Sequence, residues 1–130
     1  MVRVRVEAVV KPTEDLEKVK RAVMNVFDGE LNVIDLGNGY YIVEGVSNDL
    51  KSISKLKQMI VSFSIGPATR SYMFRRIRGN TLEILLHKQA LLIGKLSFID
   101  SDKESPLGAI KIVIEAEDPG VVVNEIAPSS

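Results

Sequence analysis

The first ten residues carry the pattern that restricts this chain most. Val2, Val4 and Val6 alternate with Arg3, Arg5 and Glu7, so apolar side chains recur with a period of two. That is the period of an extended strand with one face buried and one face wet. Ala109–Ala116 repeats it with β-branched residues around Lys111 and Glu115. A chain with such strands near both ends must supply partner strands for a sheet and a cover for its apolar face.

The cover lies between them. Pro12 ends the first strand, and Thr13 offers a helix N-cap, with Glu14 and Asp15 suited to the positive first turn. Leu16, Val19, Val23 and Val26 follow at helical spacing, and Gly29 closes a helix predicted over 14–27. Two apolar runs, Leu31–Leu36 and Tyr40–Val46, flank Gly37-Asn38-Gly39, which predicts a hairpin. Ser47 or Asn48 caps a second helix with Leu50, Ile53, Leu56 and Ile60 on one face. Gly66-Pro67 starts a third helix that runs to Arg78 and is closed by Gly79-Asn80.

Thr81–His87 reads as a strand and Leu96–Ile99 as another, while KQALLIGK between them is ambiguous, with Gly94 favouring a bend. Asp100–Ser105 is a polar loop. Asp118-Pro119 opens a last helix that docks through Val122, Val123 and Ile126, and Pro128-Ser129-Ser130 is a frayed end. The order β-α-β-β-α-α-β-β-β-α lacks a repeating βαβ unit. It predicts an α+β fold: a two-layer sandwich with a largely antiparallel sheet and helices packed on one face. The length, 130 residues, suits one domain over 1–130 that needs neither disulfide nor metal to fold.

Composition removes several chemistries. There is no cysteine, which excludes disulfides, thiolate catalysis and cysteine-based metal centres and fits a cytoplasmic protein. No run approaches the ~20 apolar residues of a membrane helix, and the alternating N-terminus is not ordered like a signal peptide. Net charge is zero, but its distribution is uneven. Residues 50–99 hold nine lysines and arginines against one acid, Glu83, a net +8. Residues 1–49 hold six cations and nine acids, and residues 100–130 hold two and seven. Such asymmetry points to an anionic partner.

The third predicted helix, PATRSYMFRRIRG, is the richest segment. Met73, Phe74 and Ile77 share an arc that should face the core, while Arg75, Arg76 and Arg78 fan across the rest near Tyr72. Arginine forks pair with phosphates, and tyrosine offers a stacking plane for a base. The same pattern also describes a solvated amphipathic helix whose last-turn arginines complement its negative end. Arg70 falls inside the apolar arc, so it needs a partner or must reach out to water. A second cluster, His87, Lys88, Gln89 and Lys95 around Gly94, gathers donors suited to an RNA backbone, or is an ordinary strand end and turn. The lone His87 has no positioned nucleophile or carboxylate and reads as structural. Asp100, Asp102 and Glu104 alternate like a calcium loop, but Ser105 and Lys111 stand where that loop needs glycine and glutamate. No P-loop, G-x-S-x-G or H-E-x-x-H occurs, so no catalytic residue, cofactor or metal is expected.

Three stretches resemble the recurring blocks of an archaeal family of small proteins: VRVEAVVKPTEDLEKVKRAV, KQALLIGKLSF and SPLGAIKIVIEAEDP followed by IAP. The resemblance spans nearly the whole chain. Members are described as predicted RNA-binding proteins associated with the exosome, with a fold similar to the large-subunit ribosomal protein that binds five-S ribosomal RNA. The resemblance implies that fold, an archaeal cytoplasm and an RNA partner. The block residues Lys88, Gln89, Gly94, Lys95 and Phe98 are present, as are Ser105, Pro106, Leu107 and Gly108. His87 and Leu91 depart from the pattern.

Two readings follow. One is a non-catalytic RNA-binding protein in which Arg70, Arg75, Arg76, Arg78, Lys88 and Lys95 meet phosphates and Tyr72 or Gln89 adds stacking or hydrogen bonds. The other is a protein-interaction subunit, for instance a homodimer paired through Val2–Val10 or Ala109–Ala116 as an edge strand.

Overall fold

A computed structural model describes residues 1–128; Ser129 and Ser130 of the predicted frayed end lie outside the described residues. The described residues form seven strands: β1 (Arg3–Val10), β2 (Asn32–Gly37), β3 (Tyr40–Ser47), β4 (Ile77–Arg78), β5 (Thr81–His87), β6 (Phe98–Ile99) and β7 (Ala109–Glu115). They also form five α-helices: α1 (Leu16–Met24), α2 (Ser54–Ser62), α3 (Gly66–Arg75), α4 (Lys88–Leu92) and α5 (Pro119–Ile126). The strands make one antiparallel sheet in the order β2-β3-β1-β7-β5-β4, with β6 also paired to β5.

The alternation in β1 does what its period requires. Val4, Val6, Ala8 and Val10 are buried, while Arg3, Arg5 and Val9 are exposed. Ile110, Ile112 and Ile114 of β7 and Leu82, Ile84 and Leu86 of β5 continue the buried face. Val19, Val23, Leu56, Ile60, Met73, Leu91, Val123 and Ile126 of the helices close over it in one cluster. Each such aliphatic side chain contributes roughly 1.5–3 kcal/mol on burial, so this layer contact dominates folding. The fold is thus the expected α+β two-layer sandwich. The other face of the sheet bears a mixed row, in which Glu7 and Lys111 meet across β1 and β7 at 3.9 Å.

Several local expectations shift. β1 and β7 are the centre of the sheet and not its edges: Val6 faces Gly45 on one side and Ile112 on the other. Neither can therefore pair with another chain, because both of their hydrogen-bonding sides are used. The margins of the sheet are β2 on one side and, on the other, the short strands β4 and β6 that pair with the outer side of β5. Asp15, not Thr13, caps α1, accepting from the Glu17 N–H at 2.9 Å, while the Glu14 carboxylate is turned back onto the Lys11 N–H. Asp49, not Ser47 or Asn48, caps a 3-10 turn over Leu50–Ile53 that leads into α2. The hairpin at Gly37-Asn38-Gly39 forms as predicted, with Asn38 at φ 57° and Gly39 at φ 85°, the left-handed pair of a two-residue hairpin turn.

The third helix stops at Arg75, three residues short of the expected end, and Ile77–Arg78 turns back as β4 against Thr81 and Leu82. The ambiguous stretch is resolved as the short helix α4, capped by His87, whose Nδ1 accepts the Ala90 N–H at 3.1 Å. The acids of the calcium-like alternation are spent within the fold: Glu104 accepts from the N–H groups of Asp100 and Ser101, Asp102 from that of Ala109, and Asp100 faces Arg75 and Arg76.

Candidate nucleic-acid interface

The outer side of β5 begins from a problem of satisfaction. β4 covers only the Thr81 end of this strand and β6 only the Leu85–Leu86 end. Polar backbone groups between them need partners. Two side chains from the end of α3 supply them. The Tyr72 hydroxyl accepts the Leu85 N–H at 3.1 Å and donates to the Ile99 carbonyl at 2.7 Å. Arg76 donates from Nε to the Glu83 carbonyl at 2.8 Å and from a terminal nitrogen to the Glu83 carboxylate at 2.9 Å. Tyr72 and Arg76 thus plug the gap between two short strands.

That geometry corrects the expected arc. Tyr72 is 6% exposed and packs on Phe98 at 5.0 Å between ring centres, so no base can stack on it. Phe74, expected in the core, is exposed, and the Arg70 guanidinium lies 5.5 Å from the centre of its ring. Burial holds the Tyr72 phenol above its usual range. The Arg76 side chain is only 15% exposed and bonded inward, which withdraws it from a phosphate-binding role. Arg70 has the partner its position demanded. It donates to Asn124 Oδ1 at 2.7 Å and to the Ala127 carbonyl at 3.1 Å, tying α3 to the end of α5.

Arg75 and Arg78 remain outward. Arg75 is 63% exposed and reaches Asp100 at 3.6 Å, a loose surface pair. Arg78 is exposed on β4. Lys95, also exposed, lies in the segment that enters β6 along the same side of β5. Arg75, Arg78 and Lys95 are thus spread along one sheet margin, Arg78 at its Thr81 end and Lys95 beyond its His87 end.

The +8 segment is partly folded away. Lys55 meets Asp28 at 3.0 Å, Arg75 and Arg76 meet Asp100, and Lys88 meets Glu14. The acids come from the negative flanks of the sequence. Lys51, Lys57, Arg78 and Lys95 have no acid within 4 Å among the described residues and are exposed.

Lys88 is the second correction. It is 3% exposed, and its ammonium donates to the carbonyls of Val9 (2.7 Å) and Leu107 and to Glu14 Oε1 (3.1 Å). All three of its donors are used, so none is left for an RNA phosphate. Burial pushes this ammonium below the usual lysine range, and the adjacent Glu14 pulls it back up. Sequence reading missed Glu14 here; its place two residues after Pro12, where the chain turns from β1 into α1, was the available signal. Gln89, next to Lys88, is exposed and lines a cleft of about 290 Å³ with Thr13 and Lys18. The segments Lys11–Asp15, His87–Gln89 and Ser105–Gly108 thus meet around one buried nitrogen.

The opposite margin of the sheet differs. All six residues of β2 are exposed. Val33, Ile34 and Leu36 are 40%, 42% and 52% exposed, beside Tyr40 and Val46 on β3. Residues 31–43 carry a single charge, Asp35.

A family model described as RNA binding matches residues 3–116. A UPF0201 protein of Saccharolobus islandicus is 43% identical over 128 residues, covering 98% of this chain and 88% of the relative. One from Sulfolobus acidocaldarius is 42% identical over 130 residues, covering 100% and 90%. A crystal structure of a UPF0201 protein from Methanococcus jannaschii superposes with a TM-score of 0.86 at 34% identity, over 98% of this chain and 94% of that one. A DUF54 protein from Methanothermobacter thermautotrophicus shares the fold, with a TM-score of 0.67 at 21% identity and 96% coverage of each chain. No helix among the described residues is long and apolar enough to cross a membrane.

Proposed function

The chain belongs to the UPF0201 family, and we propose that within it this protein binds RNA and performs no catalysis. The observation that carries the reading is the row of Arg75, Arg78 and Lys95 along the outer side of β5, in a chain matched across residues 3–116 by a family model described as RNA binding. Outward cations on a rigid sheet margin contact phosphates regardless of sequence. Arg70 and Gln89 are secondary contacts, since Arg70 is half-buried and Gln89 lies on α4. The proposal extends to an archaeal cytoplasm, to association with the exosome in RNA processing or degradation, and to kinship of fold with the five-S-RNA-binding ribosomal protein. Fluorescence anisotropy with structured and single-stranded RNA at two salt concentrations tests the binding. The expected result is affinity that falls steeply with salt; absent affinity at low salt, or a flat salt response, overturns it.

A second reading is favoured by one observation, the exposed and nearly uncharged β2 margin. Folded proteins usually blunt such an edge with lysine, proline or cover. In this reading two copies pair through β2 in a homodimer. Light scattering at rising concentration should report it, and Ile34→Lys should abolish it; a strict monomer removes the reading. Co-purification with and without ribonuclease separates RNA-borne partners, exosome proteins included, from protein-borne ones.

A further inference from the structure

A cleft of about 540 Å³ opens on the other side of Lys88 from the α1–α4 cleft, between the end of β1 and the loop before β7. Its floor holds an oddity. Ser105 is 3% exposed, yet its hydroxyl has no protein hydrogen-bond partner among the described residues. Native proteins rarely leave a buried hydroxyl unpaired, and such a group calls for a reason. Its neighbours suggest one. Lys11 lines the cleft with only a long 3.5 Å contact from its ammonium to the Pro106 carbonyl. Lys103 lines it too, exposed and with no acid within 4 Å among the described residues. The cleft's own acid, Asp102, is engaged by the Ala109 N–H. Lys88 is neutralised from behind by Glu14, and Asp102 offsets one of the remaining two cations, so Lys11 and Lys103 leave the cleft with a surplus of one positive charge.

We propose that this cleft binds the phosphate of a phosphorylated nucleotide, either the terminal nucleotide of an RNA or a free mononucleotide. Two ammonium groups flank the phosphate as point charges, the usual manner of lysine with phosphate, and the Ser105 side chain, whose oxygen is closed to solvent, turns outward to give its hydroxyl the acceptor it lacks among the described residues. The volume lies within the roughly 300–1,000 Å³ of small-molecule sites, which leaves room for a sugar beside the phosphate. Val9 and Leu107 supply apolar wall. The RNA-terminus form rests on the RNA-binding reading above; the free-nucleotide form does not.

Calorimetric titration of the full chain should use three probes: adenosine 5′-monophosphate, an octaribonucleotide with a 5′-phosphate, and the same octaribonucleotide with a 5′-hydroxyl. Binding of the phosphorylated strand about tenfold tighter than the hydroxyl strand, the worth of one charge-assisted hydrogen bond, assigns the site to an RNA end. Binding of the mononucleotide without that preference assigns it to a free nucleotide. In either case Ser105→Ala and Lys103→Ala should erase the effect, whereas Lys57→Ala, at an exposed cation on α2, should leave it. Ser105→Ala removes a hydroxyl without a protein partner among the described residues, so an unchanged melting temperature shows that the variant is folded. No mononucleotide binding together with equal affinity for the two strands overturns the proposal while leaving the RNA reading intact. Mononucleotide binding with no affinity for either strand does the reverse.

Discussion

The ammonium of Lys88 lies 3.1 Å from Glu14 Oε1, and the two side chains are 4% and 6% exposed. Glu14 also accepts the Lys11 N–H at 3.0 Å, and Lys88 also holds the carbonyls of Val9 and Leu107. The pair therefore joins the exit of β1, the start of α4 and the loop before β7. Its role is internal, although Lys88 stands in the most basic stretch of the sequence.

Removing one partner strands the other in a dry site. Lys88→Met leaves a buried carboxylate uncompensated and is expected to cost about 3–5 kcal/mol, while Lys88→Met combined with Glu14→Leu should recover much of that, because a buried ion pair roughly breaks even against apolar packing. Urea unfolding of the wild type, the single variant and the double variant reads the comparison. A double variant no more stable than Lys88→Met would show that the two groups are not coupled.

How far the sequence could foresee this depends on what kind of information each feature needs. The period-two strands, the hairpin at Asn38-Gly39 and the Asp118-Pro119 helix start are local, so their residues announce them. Strand order is not local. Nothing within Val2–Val10 says that it will be flanked on both sides, and an edge was an equally lawful reading until β3 and β7 were placed beside it. The same holds for charge. Arg75, Arg76 and Arg78 look alike in sequence, yet Arg76 is spent on the Glu83 carbonyl while Arg75 is 63% exposed. Helical spacing gave an arc through Phe74, but the unsatisfied margin of β5 draws Tyr72 inward instead. Arg70's place in the apolar arc announces that it needs a partner, but that partner, Asn124, lies 54 residues away.

Tyr72 makes stability depend on alkaline pH in a defined direction. Burial raises its phenol above the ordinary 10.0. The folded state therefore keeps a proton that the unfolded chain loses, so the tyrosine's contribution is fully present below pH 10 and is lost as pH rises beyond it. Tyr72→Phe, which strands the buried Leu85 N–H, should be about 1–3 kcal/mol less stable than wild type at neutral pH. The gap should narrow above pH 10. Chemical unfolding of both proteins across that range measures it, and a constant gap contradicts the assignment.

The arginines separate by role. Arg75→Ala and Arg78→Ala should each lower the slope of log affinity against log salt by ~0.7–0.9 for RNA and leave the unfolding midpoint unchanged. Arg76→Ala should do the opposite, lowering stability by about 1–3 kcal/mol because the Glu83 carbonyl loses its donor. Anisotropy titrations in a salt series, paired with unfolding curves, distinguish the two. If Arg76→Ala weakens RNA binding as much as Arg75→Ala without loss of stability, the inward bonds of Arg76 are not what holds it.

The sharpest packing constraint is at Gly45, a buried strand residue opposite Val6. A Cβ there would lie 2.9 Å from Cζ of Phe27 and closer still to Cε2. Phe27 is itself 1% exposed just beyond α1, so its ring has nowhere to retreat. A glycine inside a strand normally weakens it; here it admits the ring that closes the core over β3. Gly45→Ala should cost about 1–3 kcal/mol through overpacking, despite alanine's lower backbone entropy loss. Phe27→Leu alone should also destabilise, by leaving a cavity. The combination should be less damaging than the two effects added, since the smaller side chain vacates the space the new methyl needs. A double-mutant cycle from urea unfolding measures that coupling, and simple additivity would mean that the ring and the glycine do not constrain each other.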